Sequence, residues 1–199
     1  MHTEFSIKDG MLNPKKVVHK AIASGMKALA ITDATAMFGD VIFYKAASAA
    51  GIKPILGADC SITNHYNRDD YLRLLFLARN HQGYLTLCDL LSRAWLTNQY
   101  KDRGEVDLDW ITSEMADGLI VLSGFNTGAI GKAILNGSSS AAEQEARRLS
   151  QKFPHFFMEL QRVGRPNDEM LVAESVKLAK KLGLPVVCLL YTSPSPRDS

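Results

Sequence analysis

Short apolar runs alternate with longer amphipathic segments along most of the chain. Runs such as Ala28 to Ile31, Leu72 to Ala78 and Leu119 to Leu122 have the length of buried strands. Apolar residues in segments such as 81–95 and 168–182 instead recur at the spacing of one helix face. This alternation predicts an α/β fold in which helical crossovers join parallel strands.

Local signals place the ends of several of these segments. Asn13 followed by Pro14 is typical of a helix N-cap with proline in the first turn, and Gly25 is a plausible stop for that helix. The other predicted helices cover residues 38–50, 81–95, 108–115, 127–135, 141–153 and 168–182. Counting residues 2–6 as the remnant of a first strand, the predicted strands are seven: 2–6, 28–31, 54–56, 72–78, 119–122, 156–160 and 184–187.

Two α/β architectures fit this pattern, a β/α barrel and an open, doubly wound sheet. Periodicity alone does not separate them, because both bury parallel strands under helices. No glycine-rich phosphate loop follows the first predicted strand, which disfavours the nucleotide-binding form of the open sheet. We therefore expect a barrel-like fold.

Composition narrows the function classes. Lys and Arg number 23 against 21 Asp and Glu, for a net charge of +2, so a dedicated nucleic-acid surface is not indicated. The three cysteines share no short spacing, which disfavours a zinc knuckle or a disulfide framework. No apolar run reaches the roughly 20 residues that a membrane helix needs, and the first residues do not resemble a signal peptide. We expect a cytoplasmic protein without membrane contact.

The last residues, 188–199, differ in character from the rest. They contain two Ser-Pro pairs, and proline cannot donate to a sheet ladder. One interpretation is a disordered terminus or linker; the other is a non-native tail that resembles translated sequencing-adapter read-through. The folded domain is accordingly predicted to cover residues 1–187.

Several ordered motifs together resemble one family, the amino-terminal PHP domain of bacterial replicative DNA polymerase III α subunits. In chain order these motifs are residues 2–6 (HTEFS), 9–10 (DG), 30–33 (AITD), 43–47 (FYKAA), 51–59 (GIKPILGAD), 118–124 (GLIVLSG) and 159–162 (ELQR). The resemblance implies a distorted, seven-stranded TIM-like β/α barrel of the PHP type. It further implies that this chain is a truncated piece of such a domain, incomplete at both ends, and that Met1 is not the natural start.

The resemblance also implies a metal-binding cavity at the carboxyl ends of the strands. PHP domains that retain phosphoesterase chemistry hold two or three metal ions there, through histidines, carboxylates and a cysteine. The family positions that keep a potential ligand are His2, Asp9, Asp33 and Asp59. Asp59 stands where the family usually has a glutamate, and its side chain is shorter by one methylene group. The positions that have lost a ligand are Ala34 and Arg73, where histidines are expected, and Phe125, where a cysteine is expected.

With so many ligands lost, we expect no functional metal cluster, no catalytic residue and no cofactor-binding residue in this chain. Arg73 is hypothesised to neutralise Asp9 or Asp59, because a buried carboxylate needs a partner; the alternative is an Arg73 that points to solvent. Asp33 is either a helix cap or a remnant of the metal site. His65 is interpreted as a surface or helix-end residue, since no acid or cysteine lies at ligand spacing from it in the sequence.

For function, the resemblance implies a parent protein that carries out DNA-templated DNA synthesis, with Mg²⁺ and DNA bound by downstream domains absent from this chain. The PHP domain itself would be a degenerate scaffold that docks the proofreading exonuclease subunit and meets other replicase subunits. Two alternatives stay open. One is a stand-alone, metal-dependent PHP phosphoesterase, which would need ligands at positions 34, 73 and 125; the other is a pure interaction module.

Overall fold

The computed structural model describes residues 1–6, 12–70 and 72–189. Within these residues, seven α-helices, α1 to α7, cover Pro14–Ala23, Asp40–Ala49, His81–Thr97, Ser113–Asp117, Ala129–Leu135, Ser139–Lys152 and Asp168–Leu182. Eight strands, β1 to β8, cover Ala28–Ala34, Lys53–Ile62, Leu72–Ala78, Gln99–Tyr100, Arg103–Gly104, Leu119–Leu122, Phe156–Gln161 and Val186–Leu189. Short 3₁₀ turns cover Leu108–Trp110 and Phe125–Thr127.

Six of these strands form one curled sheet in the order β1-β2-β3-β6-β7-β8, and β4 and β5 form a separate hairpin. The order of the six follows the chain without a reversal. An open, doubly wound sheet reverses its strand order at a switch point, whereas a barrel adds strands in succession. The described sheet is therefore a half barrel, and the predicted barrel-type α/β class is confirmed.

The prediction of parallel strands joined by helical crossovers is wrong at β3. β1–β2, β6–β7 and β7–β8 pair in parallel, but β3 is antiparallel to both β2 and β6. A parallel connection needs a crossover of a dozen or more residues. Residues 63–70, which follow β2, contain no helix, so the chain turns back directly into β3.

Residues 2–6, where a strand was expected, do not form one. Met1 alone pairs with β1: its amino group donates to the Ala30 carbonyl over 3.1 Å, and its carbonyl accepts from Thr32 N over 2.9 Å. Thr3 then forms an isolated bridge with Leu12, and the next residues turn away. The opening segment therefore touches the sheet edge without forming a strand.

Several predicted elements are confirmed to the residue, among them β3, β6 and α7. Asn13 caps α1 as predicted, since its side-chain oxygen accepts from Lys15 N at 3.2 Å and Lys16 N at 3.4 Å. Gly25, with φ +70°, follows the end of that helix. β8 runs through Cys188 to Leu189, two residues beyond the predicted domain end, and residues 190–199 lie outside the described chain.

Two hydrophobic cores fix the sheet under its helices. The larger one joins β2, β3, β6 and β7 to α3, α5, α6 and α7, and the smaller joins α1, α2 and β1. Among the described residues, no helix is long and apolar enough to cross a bilayer. Packing of both cores holds the carboxyl ends of the parallel strands at one edge of the sheet, where the predicted site residues lie.

Candidate functional site

The site lies at the end of the sheet where the parallel strands have their carboxyl termini. Asp33 lies at the end of β1, Asp59 in the second half of β2, and Glu159 in the second half of β7. Arg73 is the second residue of β3. Because β3 runs antiparallel to its neighbours, its beginning lies at the edge where the parallel strands end, and this direction brings Arg73 to the acidic residues.

Arg73 links the two buried acids. Its Nε donates to Asp59 Oδ1, and its Nη1 lies 3.4 Å from Glu159 Oε1 and 3.3 Å from the carbonyl oxygen of Gly124. Asp59 is 5% exposed and Glu159 is fully buried, while the Arg73 side chain is 13% exposed. The predicted Arg73–Asp59 contact is thus present. Asp9, the other carboxylate named for this role, lies outside the described residues.

His2 contacts the other carboxylate oxygen of Asp59. Its Nε2 lies 3.0 Å from Asp59 Oδ2. Burial opposes ionisation of Asp59, but the Arg73 guanidinium and the hydrogen bond from His2 outweigh it and hold the pKa of Asp59 below its ordinary value. Asp59 is therefore an ionised carboxylate that is already occupied by two donors.

Asp33 binds the opening segment of the chain. Its Oδ1 accepts from Thr3 N at 2.5 Å and Ser6 Oγ at 2.7 Å, and its Oδ2 accepts from Thr3 Oγ1 at 2.7 Å. The helix-cap interpretation of Asp33 is wrong, because α2 begins at Asp40 after Gly39 and has no side-chain cap. Three donors occupy the Asp33 carboxylate, so it is committed to holding Thr3 and Ser6 against β1.

The other two altered positions supply no donor atom. Ala34 ends β1 and is exposed at the rim of the site. Phe125 turns into the larger hydrophobic core, where it is 2% exposed, and its backbone has a left-handed φ of 45° in the turn after β6. A methyl group and a benzyl group therefore stand where the resemblance implies a histidine and a cysteine.

Sequence reasoning missed Glu159 as a site residue. Besides Arg73, Glu159 accepts from Gly124 N at 3.2 Å and from Gln161 Nε2 at 2.6 Å. The signal was available, because a single acid in the apolar run of residues 156–160 must be buried with a partner if the run is a central strand. Arg73 is the cation that makes its burial tolerable.

This arrangement does not fit a cluster of metal ions. Metal binding requires deprotonated ligands with free electron pairs that converge on one point. Here the Arg73 guanidinium, a fixed positive charge, lies against both Asp59 and Glu159, where it would repel a dication. The remaining predicted carboxylate among the described residues, Asp33, is saturated by hydroxyl and amide donors.

A second group of metal-ligand types lies elsewhere on the surface. Potential ligand atoms of His65, Asp107 and Asp109 all lie within 4.8 Å of one another, and His65 Nε2 is 3.2 Å from Asp107 Oδ2. The interpretation of His65 as a surface residue agrees with its 62% exposed side chain, but two acids that are distant in the sequence lie beside it. The isolated bridge between Ile62 and Val106 brings the segment of His65 next to that of Asp107. Local sequence patterns do not predict this contact.

Comparisons with known proteins agree with the fold and the motifs. A family model described as PHP domain matches residues 1–163. The DNA polymerase III subunit alpha of Neisseria meningitidis serogroup B is 45% identical over 204 residues, an alignment that covers 100% of this chain and 18% of the relative. The subunit of Escherichia coli K12 is 40% identical over 188 residues, covering 94% of this chain and 16% of the relative.

Among solved structures, an amidohydrolase from Chromobacterium violaceum with bound sulfate and no metal superposes with a TM-score of 0.67 at 15% identity, covering 99% of this chain and 87% of that one. A Bifidobacterium adolescentis protein assigned as a metal-dependent phosphoesterase gives a TM-score of 0.61 at 13% identity. The superposition covers 98% of this chain and 87% of that one. At such identities these structures show the shared fold alone. The match to the family model, over most of the chain, shows that this chain belongs to the PHP domain family.

Proposed function

We propose that this chain is part of a replicative DNA polymerase III α subunit, in which its PHP domain is a catalytically degenerate scaffold. The proposal is supported by 40–45% identity to α subunits of several bacteria, of which the chain spans 16–18%. DNA-templated synthesis, with its Mg²⁺ ions and DNA contacts, would belong to the remainder of the parent protein. The parent would act in the cytoplasm as a component of the replicase.

The observation that carries the degenerate role is the position of Arg73. An arginine that pairs with Asp59 and Glu159 replaces the charge that divalent ions would supply to these buried acids. It offsets part of the negative charge of these two acids, but it cannot polarise a phosphate and activate a water molecule together, as paired metal ions do. The domain would thus keep the family's fold while lacking its hydrolytic chemistry.

A direct test measures metal content and phosphatase activity of the purified full chain. We expect no zinc or manganese that depends on Asp59, and no hydrolysis of p-nitrophenyl phosphate above background. His65→Ala removes the surface group of His65, Asp107 and Asp109, and any weakly held metal should disappear with it. Stoichiometric metal that survives His65→Ala but is lost in a folded Asp59→Asn variant would contradict the degenerate role.

The scaffold would dock the proofreading exonuclease subunit. A domain that no longer hydrolyses phosphoesters is retained for contacts, and the exonuclease is the partner that the resemblance implies. Surface plasmon resonance between the immobilised full chain and the parent organism's exonuclease tests this part of the proposal. Saturable binding is expected; absence of binding to a chain that is folded by circular dichroism would rule out docking on these residues.

A further inference from the structure

A second cavity is lined by other residues than those that contact Arg73. It has a volume of about 480 Å³ and lies between α2 and α3, above the beginning of β2 and the end of β3. Residues 63–70, between β2 and β3, contain no helix, and the cavity lies over the two strands that this direct turn joins. The volume is within the range of ligand-binding pockets. We call this cavity the α2–α3 groove.

The buried carboxylate of Asp40 is the unusual feature of the groove. Asp40 is 1% exposed, lines the groove, and has no hydrogen-bond partner on either carboxylate oxygen in the described structure. Lys45 lines the same groove, but its ammonium does not reach Asp40. Native proteins rarely leave a buried carboxylate unsatisfied, because desolvation without a partner costs several kcal/mol. A missing hydrogen-bond donor is the simplest explanation.

Aromatic side chains form the wall of the groove. Tyr44 comes from α2, and Tyr84 comes from α3, where its ring stacks on His81 with 6.4 Å between centroids. A hydrogen bond with Cys88 is the main cause of a raised pKa of Tyr84, and the charge of Asp40 adds to the rise. Asp40 is therefore within electrostatic reach of Tyr84 across the groove. One acidic acceptor beside two tyrosine rings suits a cation, since aromatic faces attract positive charge.

We propose that the α2–α3 groove binds an arginine or lysine side chain presented by a partner polypeptide, with the Asp40 carboxylate as its acceptor and Tyr44 and Tyr84 as its walls. The rim of the groove favours a polypeptide over a small free cation. Val41 and Tyr44 line the groove and are 57% and 52% exposed, and Leu85 beside Tyr84 is 46% exposed. Apolar residues that flank the basic side chain would cover them. The proposal does not depend on the degenerate role of the Arg73 site.

The test uses the full chain and a matched pair of capped peptides, Ac-Val-Leu-Arg-Leu-Val-NH₂ and the same peptide with neutral citrulline for arginine. Binding is followed by backbone amide shifts in a ¹⁵N NMR titration. The arginine peptide should shift residues 40–45 and 81–85 and bind at least about ten-fold more tightly than the citrulline peptide. Equal affinities, or no binding, would overturn the proposal.

Two variants and one small cation complete the design. Asp40→Asn should lose at least about ten-fold in affinity for the arginine peptide, whereas Asp89→Asn, a change to an exposed acid on the same helix as Tyr84, should leave it unchanged. Asp40→Asn replaces a buried carboxyl group that has no hydrogen-bond partner in the described structure by a neutral amide of the same shape, so we expect the variant to fold. Free N-acetyl-arginine amide should bind more weakly than the peptide; equal affinity would mean a small-molecule site and overturn the polypeptide occupant.

Discussion

At the scale of single residues, Arg73 decides the character of the family's cavity. It places a fixed positive charge against two buried carboxylates, Asp59 and Glu159. A buried ion pair adds little net stability compared with apolar residues, but losing one partner leaves the others charged and desolvated. The contribution of Arg73 should therefore show most clearly when it alone is removed.

We predict that Arg73→Met lowers the free energy of unfolding at pH 7 by about 3–5 kcal/mol. Methionine keeps much of the side-chain volume but leaves Asp59 and Glu159 without their cation. Arg79→Met is the matched control: Arg79 pairs with Asp117 on the surface, with side chains 44% and 63% exposed, and should cost less than about 1 kcal/mol. Urea unfolding followed by circular dichroism measures both, and similar losses in the two variants would contradict the prediction.

The charge on Asp59 gives this effect a pH dependence. Its folded-state pKa is lowered, so its ionisation contributes stability above the unfolded-state pKa, and the contribution is lost as the pH falls through the folded value. The deficit of Arg73→Met should accordingly shrink in acid, where Asp59 is protonated in both states.

The second residue-scale prediction concerns Asp40, whose effect on stability changes with pH in the opposite direction to that of Asp59. Burial, with a further contribution from Asp33, raises the pKa of Asp40 from 3.8 to about 8. Between these values the folded state holds a proton that the unfolded state has lost, so the contribution of Asp40 to stability falls as the pH rises from about 4 to about 8. Asp40→Asn cannot ionise, and its advantage over the unaltered chain should grow across this window to about 1–3 kcal/mol at pH 9.

Chemical unfolding of both proteins at pH 5, 7 and 9 measures this growth. Asp89→Asn serves as the control, because Asp89 is exposed on α3 and should show no such trend. An advantage of Asp40→Asn that is constant with pH would mean that Asp40 titrates normally in the folded protein.

At the scale of secondary-structure elements, close contacts between backbones fix how the helices meet the sheet. Gly83 in the first turn of α3 lies directly against Gly118, which precedes β6: a Cβ on Gly83 would stand 1.8 Å from the Gly118 carbonyl oxygen. Neither partner is a flexible side-chain end. The contact therefore sets the position of α3, and with it one wall of the α2–α3 groove.

We predict that Gly83→Ala destabilises the chain by about 1–3 kcal/mol, because α3 must shift away from Gly118. Intrinsic helix propensity predicts the reverse, a gain of up to about 1 kcal/mol for alanine over glycine. Gln82→Ala, at the exposed neighbouring position in the same turn, provides the control and should change stability little. Thermal unfolding of both variants decides between the two effects; a stabilised Gly83→Ala would show that α3 is not held by this contact.

At the scale of the whole molecule, the described sheet is an open half barrel with β1 and β8 at its edges. Met1 partly covers the edge of β1. In the described residues, β8 presents its outer edge without a further strand, and an edge of this kind is a template for pairing with another chain. We expect self-association of the isolated chain through β8.

The matched variants Val186→Lys and Val176→Lys test this expectation. Val186 lies in β8 and Val176 in α7, and both are 42% exposed. A lysine on an edge strand discourages strand addition, so Val186→Lys should lower the rate of aggregation by static light scattering, while Val176→Lys should not. Equal effects would attribute the change to net charge rather than to the β8 edge.

The sequence by itself determined where the main elements lie and which ligand types are missing. β3, β6 and α7 follow from local apolar patterns, and Ala34, Arg73 and Phe125 lack metal-ligand atoms in any conformation, because donor atoms belong to the side chain itself. Tertiary structure alone decided the antiparallel direction of β3, the role of Glu159 and the meeting of His65 with Asp107. Within the described part of the chain, it also leaves the Asp40 carboxyl group buried without a hydrogen-bond partner. These features depend on contacts between residues far apart in the chain, and the local periodicity of the sequence does not predict such contacts.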